Sequence, residues 1–193
     1  MSGARDARLF AAAELAPELA LRLAGWARQV AGELGPGRAG AGLRVLEPGS
    51  LHLTLCFLGS RPAEQIEELV SALAEACEGA PELELSIGAP IWLPPRRPGS
   101  LAVEVHDPSG ELRDLQEKLE RALTGAGPAR RYRPHVTVAR LRAGAARPAR
   151  IVLAPTPAVR FTARRVALVR SWLEPHGARY ELQGAVTLAP TLP

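Results

Sequence analysis

Apolar positions recur along this chain with two periods, and the change from one to the other marks the expected elements. Residues 7–12 read as an opening strand, and after Pro17 the side chains of Leu19, Leu23, Trp26, Val30 and Leu34 fall at helical spacing. Gly35-Pro36-Gly37 ends that helix. Residues 51–58 form a strand-like run, after which Pro62 opens a second helix with Ile66, Leu69, Val70, Leu73 and Cys77 on one face. Cys77 is therefore read as core. Two further strands, 83–93 and 101–106, are joined by the Pro-Pro-Arg-Arg-Pro-Gly turn of residues 94–99. A third helix from about Pro108 turns Leu112, Leu115, Leu119 and Leu123 inward and stops at Gly125. Strands at 135–141, 166–173 and 180–188 follow, separated by Arg/Pro/Ala/Gly loops.

No long linker divides the chain, and the similar apolar strands at 51–58 and 134–141 hint at an internal duplication. The expected fold is α+β and largely antiparallel, a single domain over residues 1–193 built as two lobes. A length of 193 residues, 47% hydrophobic and 23% charged, fits one such domain and argues against disorder of the whole chain. Glycine and proline total 36, enough to punctuate a fold without replacing it. No apolar run approaches the ~18 residues of a membrane span. The early run from Leu9 breaks at Glu14, so a cytoplasmic protein without a signal peptide is expected. Cys56 and Cys77 have neither a C-x-x-C pairing nor metal-ligand spacing.

Charge is distributed unevenly. Residues 1–96 carry 8 basic and 12 acidic groups, whereas residues 97–193 carry 16 basic and 8 acidic. Between Glu120 and Glu174 lie twelve arginines and no acid, a field suited to a phosphate-bearing partner or to a plain solvated surface.

The sharper signal is in the histidines. Two of the four precede a threonine by two positions inside an apolar strand: His52-Leu53-Thr54-Leu55 and His135-Val136-Thr137-Val138. With serine and threonine at 15 of 193 positions, such a neighbour arises by accident for roughly one histidine in thirteen. Strand alternation puts each imidazole and its hydroxyl on one face, while Leu53, Leu55, Val136 and Val138 anchor the other. Two imidazoles titrating near ~6.5 can divide the roles of acid and base at neutral pH. That division suits in-line displacement at phosphorus, with one imidazole at each end and hydroxyls on the non-bridging oxygens. Such chemistry requires no metal and no cofactor. His106 and His176 lack the threonine and sit in loop contexts, so they are read as surface residues.

These residues resemble the two-histidine (2H) phosphoesterases, and within them the bacterial and archaeal RNA 2′,3′-cyclic phosphodiesterases historically called 2′-5′ RNA ligases. The likeness runs through Arg8-Leu9-Phe10, the segment from Leu51 to Gly59, the segment from Arg133 to Arg140, and the closing strands around Val166 and Ala178. It implies a bilobal fold of two mainly antiparallel sheets, with helices outside and a central cleft into which each lobe sends one His-x-Thr strand. It further implies His52 as the acid that protonates the ribose O3′ and His135 as the partner that activates water, opening the ring to a 2′-phosphate. Either histidine could serve in the reverse direction. Thr54 and Thr137 would hold phosphate oxygens, with Arg140 adding positive charge. Strict alternation from His135 puts Arg140 on the opposite face, so it reaches the cleft only if the strand twists, bulges or ends. Cys56, by the same counting, shares the face of His52 and Thr54 as a cleft-floor residue. Tyr132 and Phe10 are the candidates for stacking a base.

The expected activity is metal-independent hydrolysis of RNA ends or nucleotides bearing a 2′,3′-cyclic phosphate, with reversible 2′-5′ ligation as a related reaction. A monomer, without a membrane partner, is expected. The competing reading is a non-catalytic RNA-binding module using the arginine-rich region, though binding alone would not require two titratable imidazoles on separate strands. A metal hydrolase is disfavoured by the absence of His-Glu-x-x-His spacing and of an acidic cluster beside either motif.

Overall fold

The structure, a computed structural model, describes residues 6–35, 42–127, 131–142, 144–145, 153–174 and 177–190. Its elements follow in the order β1 (Asp6–Glu14), α1 (Pro17–Leu34), β2 (Leu43–Val45), β3 (His52–Pro62), α2 (Ile66–Cys77), β4 (Leu83–Leu93), β5 (Ser100–His106) and α3 (Glu111–Thr124). They close with β6 (His135–Leu141), β7 (Arg160–Ala163), β8 (Arg165–Glu174) and β9 (Gly177–Thr187).

Local chemistry explains the helix limits. Pro17 at the first helical position of α1 presets φ, and Glu18 puts negative charge in the first turn; Leu19, Leu23, Trp26, Val30 and Leu34 are buried. Ahead of α3 the Asp107 carboxylate accepts the backbone N–H groups of Gly110 and Arg113, each at 3.1 Å. Gly125 ends α3 at φ 72°, a left-handed cap that a side chain would strain. Burial of Cys77 beneath α2 pushes its thiol up to about 11. Pro62 closes β3 instead of opening α2, and a short 3₁₀ turn, Ala63–Gln65, intervenes. The short strands β2 and β7 were not expected from the pattern, having too few residues to display a period. Pro36, Gly37 and His176 lie outside the described residues.

Among the described residues, these strands pair antiparallel throughout, in the spatial order β7-β4-β5-β6-β3-β1-β8-β9, with β2 also on β6. The two expected sheets are thus one hydrogen-bonded path, but they meet through a single register pair, Leu53 opposite Val136. Both residues have 0% exposure and join the main core. Helices α2 and α3 cover the half containing β3, β8 and β9, while α1 covers β2 and β6. The connectivity repeats with an exchange. Helix α1 leaves β1 and packs on β6, whereas α3 leaves β5 and packs on β3. No helix among the described residues is long and apolar enough to cross a membrane.

Candidate active site

The junction between the halves is also where the two His-x-Thr strands meet. Around Leu53 and Val136, antiparallel counting sets His52 across from Thr137 and Thr54 across from His135. Alternation turns Leu53 and Val136 into the core, so the four polar side chains surround that pair on the opposite, open face. All four are half-buried. Among the described residues, no hydrogen bond engages either threonine hydroxyl or either imidazole Nε2.

Each strand then bulges at the residue after its threonine. On β3, Ala12 pairs with Thr54 but Ala11 pairs with Cys56, leaving Leu55 as the extra residue. On β6, Ala102 pairs with Thr137 but Leu101 pairs with Ala139, leaving Val138 extra. The Val138 carbonyl accepts the Leu46 N–H at 2.9 Å. Each bulge inverts the alternation beyond it. Cys56 therefore falls on the core face, 2% exposed, and not on the cleft floor as counting suggested. There desolvation and Glu120 of α3 push its thiol up to about 12, so it is inert as a nucleophile at neutral pH. The bulge at Val138 has the opposite benefit: Arg140 returns to the open face, exposed, and its charge is felt at His52.

The two imidazoles are held by the same device. Nδ1 of His52 donates to the Ser50 carbonyl at 2.8 Å, and Nδ1 of His135 donates to the Arg133 carbonyl at 2.7 Å. A carbonyl oxygen can only accept, so Nδ1 carries hydrogen in both rings and Nε2 is left to exchange a proton with a ligand. His52 has its pKa lowered, chiefly by burial and further by Arg140 and His135, against the opposing effect of the Ser50 carbonyl.

The aromatic residues behave differently from one another. Phe10 is 4% exposed, and its ring stacks on His52 at 4.7 Å with 29° between planes. Its exposed area is too small for a base, which corrects its expected stacking role; it supports the imidazole instead. Tyr180 meets His52 edge-on at 5.2 Å and 88°, and with Val169 and Leu182 it borders a cavity of about 560 Å³ that opens beside His52. The sequence pattern offered no reason to prefer Tyr180, because its approach to His52 spans β1 and β8, which lie between their strands. Tyr132 packs against the core and donates its hydroxyl to the Thr54 carbonyl at 2.8 Å. Its phenol is pushed up by burial, with Asp107 adding to the shift. This ring braces one motif from the approach to the other. Tyr132→Phe should lower stability by about 1 kcal/mol, read as a shifted denaturant midpoint. An unmoved midpoint would mean that the bridge contributes nothing.

Acidic groups flank the site but are neutralised. The strand neighbour of His52 on β1 is Glu14, which pairs with Arg165 at 3.0 Å; that of His135 on β5 is Glu104, which pairs with Arg133 at 2.7 Å. These exposed pairs add little to stability, yet they keep carboxylate charge from opposing an anion at the junction. His106 is exposed at the end of β5.

The sequence and the fold both have known relatives. The sequence profile of the 2′-5′ RNA ligase superfamily matches residues 10–172, a stretch that contains both His-x-Thr strands. An RNA 2′,3′-cyclic phosphodiesterase of Aeropyrum pernix is 31% identical over 117 residues, 59% of this chain and 66% of that protein. A second of the same name from Methanothermobacter thermautotrophicus is 31% identical over 107 residues, 54% of this chain and 58% of that one. The chain thus spans less than two thirds of the curated relatives it matches. A crystal structure of a Thermus thermophilus protein superposes with a TM-score of 0.73 at 27% identity, covering 95% of this chain and 98% of the other. With the profile extending over most of the length and the mainly antiparallel α+β fold shared almost end to end, the chain belongs to the 2′-5′ RNA ligase superfamily.

Proposed function

We propose that this protein is an RNA 2′,3′-cyclic phosphodiesterase that opens the cyclic phosphate to a 2′-phosphate, working as one domain over residues 1–193 with two pseudo-symmetric lobes. The observation that carries the reading is the paired arrangement at Leu53 and Val136: two Nδ1-anchored imidazoles and two threonine hydroxyls around one point, with Arg140 beside them. In the reaction, water attacks phosphorus as the bond to O3′ breaks in line with it. One Nε2 takes the proton from water and the other delivers a proton to the departing O3′. Thr54 and Thr137 donate to the non-bridging oxygens, and Arg140 offsets their charge. A 5′-hydroxyl in the place of water would form a 2′-5′ linkage by the same steps. The names carried by the two curated relatives support this substrate class.

The test is direct: a 2′,3′-cyclic nucleotide should yield the 2′-phosphate, with turnover undiminished by excess chelator. A 3′-phosphate product would overturn the mechanism. Binding without turnover would favour the RNA-binding alternative.

The state of His52 links anion binding to pH. Burial, Arg140 and His135 hold its pKa below the ordinary 6.5, so the ring is neutral at pH 7. A bound anion favours the charged ring and raises that pKa, which lets His52 carry the proton an acid needs. Protons are therefore taken up on binding, and affinity rises as pH falls. Sulfate, whose own charge is constant in this range, should bind more tightly at pH 6 than at pH 8, with proton uptake visible by calorimetry in buffers of different ionisation heat. A pH-independent sulfate affinity would refute the coupling.

A further inference from the structure

The bulges that return Arg140 to the open face do the same for its counterpart on β3. Phe57 stands three positions after Thr54, as Arg140 stands three after Thr137, and beyond the bulge at Leu55 it pairs with Phe10. Its ring is 69% exposed, a large apolar surface that the core does not use. The rings of Phe57 and Phe10 are 6.2 Å apart, so the exposed phenyl lies against the residue on which His52 stacks. A shallow second cavity of about 520 Å³ is bordered by Phe57, Phe10, Arg8 and Ser60, and Phe10 also borders the cavity beside His52. Arg8 is exposed on the same face as Phe10, two strand positions away or about 7 Å. No ion pair engages its guanidinium among the described residues. Asp6 lies further out and accepts the Ser60 hydroxyl at 3.1 Å.

An exposed phenyl and an unneutralised arginine, side by side and continuous with the reactive centre, have the chemistry of a nucleotide-stacking step on a polynucleotide path. We infer that Phe57 and Arg8 form a second nucleotide site, in which Phe57 stacks the base preceding the cyclic-phosphate nucleotide and Arg8 holds the phosphate joining the two. The natural substrate is then an oligonucleotide end and not a cyclic mononucleotide. This inference rests on the cyclic-phosphodiesterase reading and narrows its substrate class.

The readout is the ratio of kcat/KM for a dinucleotide ending in a 2′,3′-cyclic phosphate to that for the corresponding cyclic mononucleotide. Base–aromatic stacking gives an expected ratio of ~10 or more. Phe57→Ala should bring the ratio close to one, Phe57→Trp should retain it, and Arg8→Gln should lower it while flattening its salt dependence. A ratio near one for the unaltered protein, or one undiminished by both Phe57→Ala and Arg8→Gln, would overturn the second site. A ratio is insensitive to general damage, since misfolded protein lowers both rates alike. Turnover of the mononucleotide by itself tests the phosphodiesterase reading. If that turnover is absent, the affinities of the two 2′-phosphorylated compounds, measured at equilibrium, decide on the second site separately: preference for the dinucleotide that is lost in Phe57→Ala supports it, and equal affinity refutes it.

Discussion

Alanine in place of either His52 or His135 is expected to lower kcat on a 2′,3′-cyclic nucleotide by ~10²–10⁴-fold while the fold persists. Each imidazole exchanges one proton in the same displacement, so losing either leaves an unassisted step. The double variant should therefore fall well short of the product of the two single losses. Both side chains are half-buried on the open face and contribute little to the core, so circular dichroism and the thermal midpoint should stay close to those of the unaltered protein. Turnover unchanged by either substitution would remove the basis of the mechanism. Equal loss of activity and of folded structure would instead make the histidines structural.

The second large effect is on stability. Leu53 is wholly buried and opposes Val136 at the one register pair joining the two halves of the sheet. Leu53→Ala should cost ~2–5 kcal/mol, the transfer loss plus that of the cavity left behind. It should also loosen the distance between the motifs on either side, so that kcat falls in whatever fraction remains folded. The denaturant midpoint measures the first effect, and single-turnover rates on folded protein the second. A cost below about 1 kcal/mol would mean the junction repacks around the smaller side chain.

The strand alternation at His52 and His135 was legible from the sequence because it is local: two residues along a strand return to the same face whatever surrounds them. The bulges were not. One extra apolar residue in Leu55-Cys56 or Val138-Ala139 leaves the hydrophobic pattern intact while inverting the alternation just beyond it. For that reason counting misplaced Cys56, and Arg140 reached the open face by the exception that the alternation allowed. The fates of Phe10 and Tyr132 were equally hidden. Burial of Phe10 depends on His52 and Tyr180, and the Tyr132 hydroxyl finds a carbonyl 78 residues away. Neither contact leaves a periodic trace. The union of two sheets into one path rests on a single residue pair, too little to announce itself in composition or spacing.

The exchange of helices has a consequence for how this architecture can be divided. Strands β1 and β3 lie on one side of the junction while α1 and β2, which come between them in the chain, pack on the other, and β5 and β6 send α3 back across. A fragment cut between these segments would keep strands whose apolar underside has lost its lid, along with a helix that has nothing to lie upon. The two arms are clasped like folded hands, so the reactive centre cannot be halved into separately stable pieces; it must be assembled by the intact polypeptide.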